Sequence, residues 1–182
     1  MIFHPLFLDG AYLIDVEKNQ DDRGFFGRVF CEKEFQNQGL ASTWVQINNS
    51  FSEKRGTLRG FHFQRPPNSE VKVVRCVKGI IWDVIVDLRH QSKTYGKWYG
   101  AELSESNRTM MYVPSGFAHG FITLSDHSEI IYLVSSFYSQ SSEGNLIWDD
   151  KDVGVVWPIT PSLISAKDQK NNSLRDTEPI AL

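Results

Sequence analysis

Two stretches of the chain concentrate side chains that can move protons. The first runs Gly56-Thr-Leu-Arg-Gly-Phe-His62-Phe-Gln64 and continues through Glu70-Val-Lys72 to Gly79. The second is Pro114-Ser-Gly116-Phe-Ala-His119-Gly-Phe121. A neutral imidazole at His62 is a good general base near neutral pH. An ammonium at Lys72 stabilises an oxyanion as charge develops on it. These two parts suit proton abstraction beside a carbonyl, where the intermediate is an enolate. Inverting a stereocentre by that route also needs an acid on the opposite face of the carbanion. A tyrosine phenol suits the task, being protonated at neutral pH and at home in an apolar wall. Taken alone, His62 reads more often as a satisfied barrel histidine than as a base.

The spacing of the two stretches resembles the paired cupin motifs, in which imidazoles and a carboxylate gather on one divalent ion. Here that ligand set is broken. Gln64 stands at the place of the second histidine, and Lys72 at that of the acid. An ammonium offers no lone pair and repels a cation. His62 and His119 alone make too small a set, so no metal is expected and a metal-dependent cupin oxygenase is disfavoured.

Strands must position these residues, because strand signals dominate the middle of the chain. Val71–Val77 and Ile80–Leu88 are β-branched runs punctuated by Gly79. Asp83 and Asp87 fall on one face of the second run, which therefore flanks a polar cavity, with Asp83 expected to partner a base or a lysine. Further strands are predicted over Gly100–Leu103, Thr109–Val113, Gly120–Thr123, Glu129–Tyr138 and Asn145–Trp148, and a helix over Glu32–Gln38. Short strands with turn residues between them predict an all-β sandwich or barrel, and inward polar residues beside Gly-rich corners favour a barrel with a ligand cavity in its mouth. Arg75 and Arg89 read as ordinary salt-bridge or solvated residues. The polar tail from Ser165 to Pro179 is where fraying is expected, opposed by Asp168.

The whole chain, residues 1–182, reads as one domain. It is 41% hydrophobic and 23% charged, a folded rather than a disordered composition. A net charge of -3 argues against nucleic acid or an anionic membrane as partner. No apolar run is long enough to span a bilayer, the N-terminus lacks signal-peptide character, and Cys31 and Cys76 form no disulfide framework. A cytoplasmic protein is expected.

The segments RGFHFQRPP, VKVVRCVKG, DVIVDLR, YGKW, LSESN, VPSGFAHGF, EIIYLVSSFYS and SAKD, between Asp9 and about Leu174, closely resemble the dTDP-4-dehydrorhamnose 3,5-epimerase family. The resemblance implies a cupin jelly roll, no cofactor, and a homodimer whose N-terminal strand crosses to the partner. It implies nucleotide-linked 4-keto-6-deoxy sugars as substrates, their C3 and C5 protons acidified by the C4 ketone, and a place in deoxysugar synthesis for bacterial surface polysaccharide such as O-antigen. It assigns the base to His62, the carboxylate of its dyad to Asp168, the acid to Tyr132 and enolate stabilisation to Lys72. Arg59 matches an arginine associated with substrate phosphate, and Arg23 matches another. Gln46 and Asn48 match a Gln-x-Asn motif at the sugar end. Tyr138 and Phe25 or Phe26 correspond to aromatic positions near the nucleotide base, and Glu143 to an acidic pocket residue. His119 is read either as structural or as a residue of the substrate pocket.

Four positions depart from the family pattern. Arg28 stands where a glutamate is usual near the thymine ring; arginine can only donate, and cytosine offers N3 and O2 as acceptors, which points to CDP, while thymine's carbonyls can also accept from it and keep dTDP open. Asn49, Leu133 and Glu70 replace frequent histidine, lysine and glutamine. They surround the sugar end and leave open a single-centre epimerase acting at C3 or C5 alone. A non-catalytic sugar-nucleotide-binding cupin is the remaining alternative.

Overall fold

The structure, a computed structural model, describes all residues 1–182. The N-terminal third contains β1 (Ile2–Pro5), β2 (Tyr12–Asp15), β3 (Lys18–Asp21), β4 (Gly24–Gly27), the helix α1 (Glu32–Asn37) and β5 (Gln46–Ser52). The middle contains β6 (Thr57–Gln64), β7 (Lys72–Lys78), β8 (Ile80–Asp87), β9 (Trp98–Ser104), β10 (Met110–Val113), β11 (Phe117–Thr123) and β12 (Ser128–Val134). Two short strands follow, β13 (Glu143–Asn145) and β14 (Leu163–Ile164).

One sheet has the order β1-β2-β10-β7-β12-β5; the other is β13-β6-β11-β8-β9, with β14 added parallel to β6. The two sheets form the jelly roll of the cupin type. Strand alternation divides each strand between two cores. Val74, Cys76, Met111 and Ile130 of the first sheet meet Ile81, Ile85, Leu103 and Phe121 of the second. The outer face of the second sheet (Phe61, Val84, Val86, Ala118) is covered by Leu146, Val153 and Ile180. On the outer face of the first sheet, Val73 and Met110 pack with Phe35 from α1. Each fully buried Ile, Val, Phe or Met contributes about 1.5–3 kcal/mol by leaving water.

The β8 alternation puts Asp83 and Asp87 on the inner face, as their spacing predicts. Asp87 closes the strand end by accepting two bonds from Arg89, at 2.9 and 2.8 Å, and one each from Ser92 and Thr94. Arg89 is thus an ion-pair residue, whereas Arg75 makes no ion pair and is half-buried, its Nε without a partner. The predicted strand over Glu129–Tyr138 is shorter, because Ser135 turns its hydroxyl to the Val71 N–H and the chain leaves the sheet. Only Asn145 of the predicted Asn145–Trp148 strand is in a ladder; β13 begins earlier and pairs with β6. The tail is tied down rather than frayed, with Leu174 N–H on Asp150 at 2.7 Å and Ile180 buried and bridged to Arg89.

Candidate active site

Strand β6 carries Arg59, His62 and Gln64, and a distortion in it builds the first half of the site. Its register against β11 slips between His119 and Phe121. Gly60 sits there with φ +118, and a Cβ would lie 2.6 Å from Gly120 Cα and 2.8 Å from the His119 carbonyl oxygen. No other residue fits this approach. The irregularity turns the Gly60 N–H toward Asp168 Oδ2, 3.3 Å away. His62 Nε2 donates to Asp168 Oδ1 at 2.7 Å. That bond assigns the proton to Nε2 and leaves the Nδ1 lone pair free.

Asp168 is only 4% exposed and begins a single 3-10 turn just after β14. Burial pushes its carboxyl pKa up, but the hydrogen bond and charge of His62, with Gly60 N–H and Ser165, outweigh burial and hold it below the usual value. Asp168 is therefore the ionised, orienting partner.

The opposite wall comes from the other sheet. Tyr132 on β12 stands in register with Val74 and Asn48, and Lys72 opens β7. Burial raises the Tyr132 phenol pKa, the Glu70 carboxylate raises it further, and Arg59 opposes both. Lys72 Nζ lies 3.0 Å from Glu70 Oε1, with side chains only 11% and 13% exposed. Gln64, at the lost metal-ligand position, cross-ties loops: its amide nitrogen faces Asn68 O, Phe137 O and Glu70 Oε2, and its oxygen accepts from Ser139 N–H at 2.6 Å.

Two cavities of ≈ 500 and ≈ 430 Å³ adjoin here, and His62, Lys72 and Tyr132 line both. The first adds the cations Arg59 and Lys167, with His119 and the carboxylate of Asp168. The second adds Gln46, Asn48, Glu70, Tyr138 and Glu143, a set of amides, a phenol and carboxylates. Lys167 Nζ donates to Glu143 Oε1 at 2.6 Å, and the Tyr138 hydroxyl donates to Glu143 Oε2 at 3.3 Å. The Lys167 bond is the main cause holding the Glu143 carboxyl below its usual pKa. A second buried pair lies behind this surface: His119, directly opposite His62 in the ladder, donates Nε2–H to Asp83 Oδ1 at 2.7 Å. Asp83 thus partners His119, neither the base nor Lys72.

Ten of the fourteen predicted site residues line these cavities: His62, Asp168, Tyr132, Lys72, Gln46, Asn48, Arg59, His119, Tyr138 and Glu143. Arg23, Phe25, Phe26 and Arg28 do not. They lie on or next to the ribbon formed by β3 and β4, which pairs only with itself. Arg23 is turned back onto Asp21, and Arg28 onto Glu34 at 2.9 Å. Phe26 is 70% exposed. Reasoning from sequence missed Lys167, although it stands beside Asp168 in the Ser-Ala-Lys-Asp motif. It also noted Glu70 only as a substitution, because the loop before β7 that turns its carboxylate back onto Lys72 has no signature in sequence.

The sequence model described as dTDP-4-dehydrorhamnose 3,5-epimerase matches residues 5–176. The Salmonella typhimurium protein named dTDP-4-dehydrorhamnose 3,5-epimerase is 46% identical over 151 residues, 81% of each chain. The crystal structure of dTDP-4-dehydrorhamnose 3,5-epimerase from Elizabethkingia anophelis superposes with a TM-score of 0.94 at 39% identity, covering 97% of this chain and 98% of that one. A 3'-monoepimerase from Streptomyces bikiniensis, solved in complex with dTDP-quinovose, superposes with a TM-score of 0.88 at 31% identity, covering 95% and 88%. Sequence and fold agree, and the chain belongs to the dTDP-4-dehydrorhamnose 3,5-epimerase family of isomerases.

Proposed function

We propose that the chain is a cofactor-free epimerase of a nucleotide-linked 4-keto-6-deoxyhexose, with His62 as base and Tyr132 as acid. The observation that carries this reading is the junction of the two cavities. There His62 on one sheet, held by Asp168 from the turn after β14, shares a cavity wall with Tyr132 and Lys72 of the other sheet. His62 Nδ1 takes the proton from the carbon beside the ketone, and the electron pair moves onto the C4 oxygen. Lys72 donates to that oxygen while it carries the enolate charge. Tyr132 returns a proton from the opposite face, and solvent resets imidazolium and phenolate. The charged cavity of Arg59, His119 and Lys167 suits the diphosphate, and Gln46, Asn48, Tyr138 and Glu143 suit hydroxyl and ring contacts on the other side.

The ribbon residues enter this site through a homodimer, in which a partner copy presents its own β3–β4 ribbon. The exposure of Phe26 and of Arg23, whose side chain is 89% exposed, supports that reading. Free Cys31 and Cys76 suit a cytoplasmic enzyme. A supply of deoxysugar for surface polysaccharide such as O-antigen is the corresponding role. A second reading takes up the family departures: an arginine in place of the usual glutamate near the nucleotide base suits cytosine as acceptor, and Asn49, Leu133 and Glu70 alter the sugar end, so a CDP sugar and inversion at one carbon compete with the dTDP 3,5-reaction.

Incubation with dTDP- and CDP-4-keto-6-deoxyglucose in heavy water, followed by NMR, tests both. Deuterium at C3 and C5 with the dTDP sugar preferred supports the 3,5-epimerase. Deuterium at one carbon with the CDP sugar preferred supports the second reading. Binding without exchange at either carbon would leave only the non-catalytic cupin.

A further inference from the structure

Glu70 has no part in the roles assigned above, yet it is the ion-pair partner of Lys72. Its Oε1 lies 3.0 Å from Lys72 Nζ, inside the wall shared by the two cavities. Its other oxygen faces the Gln64 amide at 3.4 Å. Gln64 is itself anchored to Asn68, Phe137 and Ser139, so the carboxylate hangs from a fixed scaffold rather than from a free loop. A lysine has four rotatable bonds and loses roughly 2 kcal/mol of freedom when it is fixed. An anchored carboxylate is a direct way to fix it.

We propose that Glu70 is a positioning residue of the epimerisation, holding the Lys72 ammonium at the cavity junction and setting the charge that Tyr132 faces. This rests on the reading of Lys72 as the enolate donor and Tyr132 as the acid. The pair delivers a donor N–H to the C4 oxygen without leaving a lone cation against Tyr132, because the carboxylate balances the ammonium. The Tyr132 phenol is held protonated by burial first and by Glu70 second. Other charged or titratable groups face the same space: Arg59 and His62 from β6, His119 from β11 with Asp83 behind it on β8, Glu143 from β13, Lys167 and Asp168 from the C-terminal strap, and Tyr138. Arg59 is the one that opposes Glu70 at Tyr132. Glu70 stands apart from the others because it touches Lys72.

The test compares the full-length protein with Glu70→Gln and Glu70→Ala, reading inversion and deuterium exchange against pH on the better of the two sugar nucleotides. Glu70→Ala releases Lys72 and should lower kcat by about 10- to 100-fold, with KM changed less, as misplacement of a donor does. Glu70→Gln keeps one acceptor, the amide oxygen, for Lys72 and gives up only the long 3.4 Å bond from the Gln64 amide, so it should recover most of the rate near neutral pH. It removes the negative charge, so its alkaline limb should move down by about one pH unit. Circular dichroism and a thermal melt check that both variants fold, and the isosteric glutamine keeps the test decisive if the alanine does not. An unchanged alkaline limb in Glu70→Gln, or wild-type kcat in Glu70→Ala, overturns the proposal. A wild-type protein that exchanges neither carbon of either sugar overturns the epimerase reading first, and this one with it.

Discussion

Replacing Asp168 by asparagine attacks the base without touching it. The carboxylate accepts from His62 Nε2 at 2.7 Å, which places the imidazolium charge and the carboxylate charge about 4 Å apart, centre to centre. At an effective dielectric of about 20 that pair is worth roughly 4 kcal/mol once His62 has taken the substrate proton. Losing it alone slows proton abstraction by about 10³-fold. The amide adds a second penalty: its nitrogen donates, so the favoured tautomer moves the proton to Nδ1, the atom that must be free. An equivalent swap in a comparable acid–base dyad costs about 10⁴. Asp168→Asn should therefore lower deuterium wash-in at every exchanged carbon by about 10³–10⁴, measured by single-turnover NMR in heavy water. The fold should survive, because the asparagine oxygen can still accept the Gly60 N–H. Acid stability gives an independent check. Asp168 has its folded pKa below the usual 3.8, so its stabilising increment is complete above that value and lost as pH falls through the folded one. Unfolding of the variant should then depend less steeply on pH below about 4. Exchange within tenfold of wild type would refute the dyad.

Tyr132→Phe should lose net inversion far more than exchange, since His62 can still remove and return a proton on its own face; equal loss of the two, read from one NMR time course, would remove Tyr132 from the acid role. Lys72→Ala should lower turnover by a few kcal/mol of lost enolate stabilisation, and unchanged kcat would show that the ammonium is remote from the developing charge. Gly60→Ala should destabilise the protein by about 3 kcal/mol or more, because the added Cβ meets Gly120 Cα at 2.6 Å in a left-handed backbone. Its thermal midpoint should drop by several degrees, and exchange should fall with it as the Gly60 N–H leaves Asp168.

What could be read from sequence follows from how each segment is buried. β8 and β7 are legible because alternate residues face two different cores, so Ile81, Asp83 and Ile85 separate cleanly from Val84 and Val86. β3 reads Lys-Asn-Gln-Asp and is exposed throughout; only its pairing with β4 makes it a strand, and no periodicity announces that. β6 is nearly all buried and carries Arg59, Gly60 and His62, so function overwrites the alternation and motif spacing is the better guide. His62, Lys72 and Asp168 were accessible through motifs, although they lie far apart in the chain. The Asp83–His119 pair needed strand register, which local pattern does not encode, and the Glu70–Lys72 pair needed the course of the loop that precedes β7. The ribbon residues needed more still, since neither of the two cavities around His62 reaches them within one chain.

A sandwich suits this chemistry for a geometric reason. Inversion through a planar enolate requires a base on one face and an acid on the other, and two facing sheets supply two faces with a gap of about 10 Å between backbones. His62 comes from one sheet, Tyr132 from the other, and both line the cavity between them. Metal-binding cupins gather their ligands in the same place, where the ion supplies positive charge to a polarised oxygen. Putting Gln64 and Lys72 at two of those positions removes the ligands and restores one positive charge as an ammonium that can donate directly. The glutamine is then free to tie loops together and to carry Glu70 against the lysine. Within this cavity, inversion of a second carbon requires the ring to turn so that its other acidic hydrogen faces His62 while the ketone still reaches Lys72. The rigidity that the Gln64–Glu70–Lys72 chain gives one wall therefore bears directly on whether one centre or two is inverted.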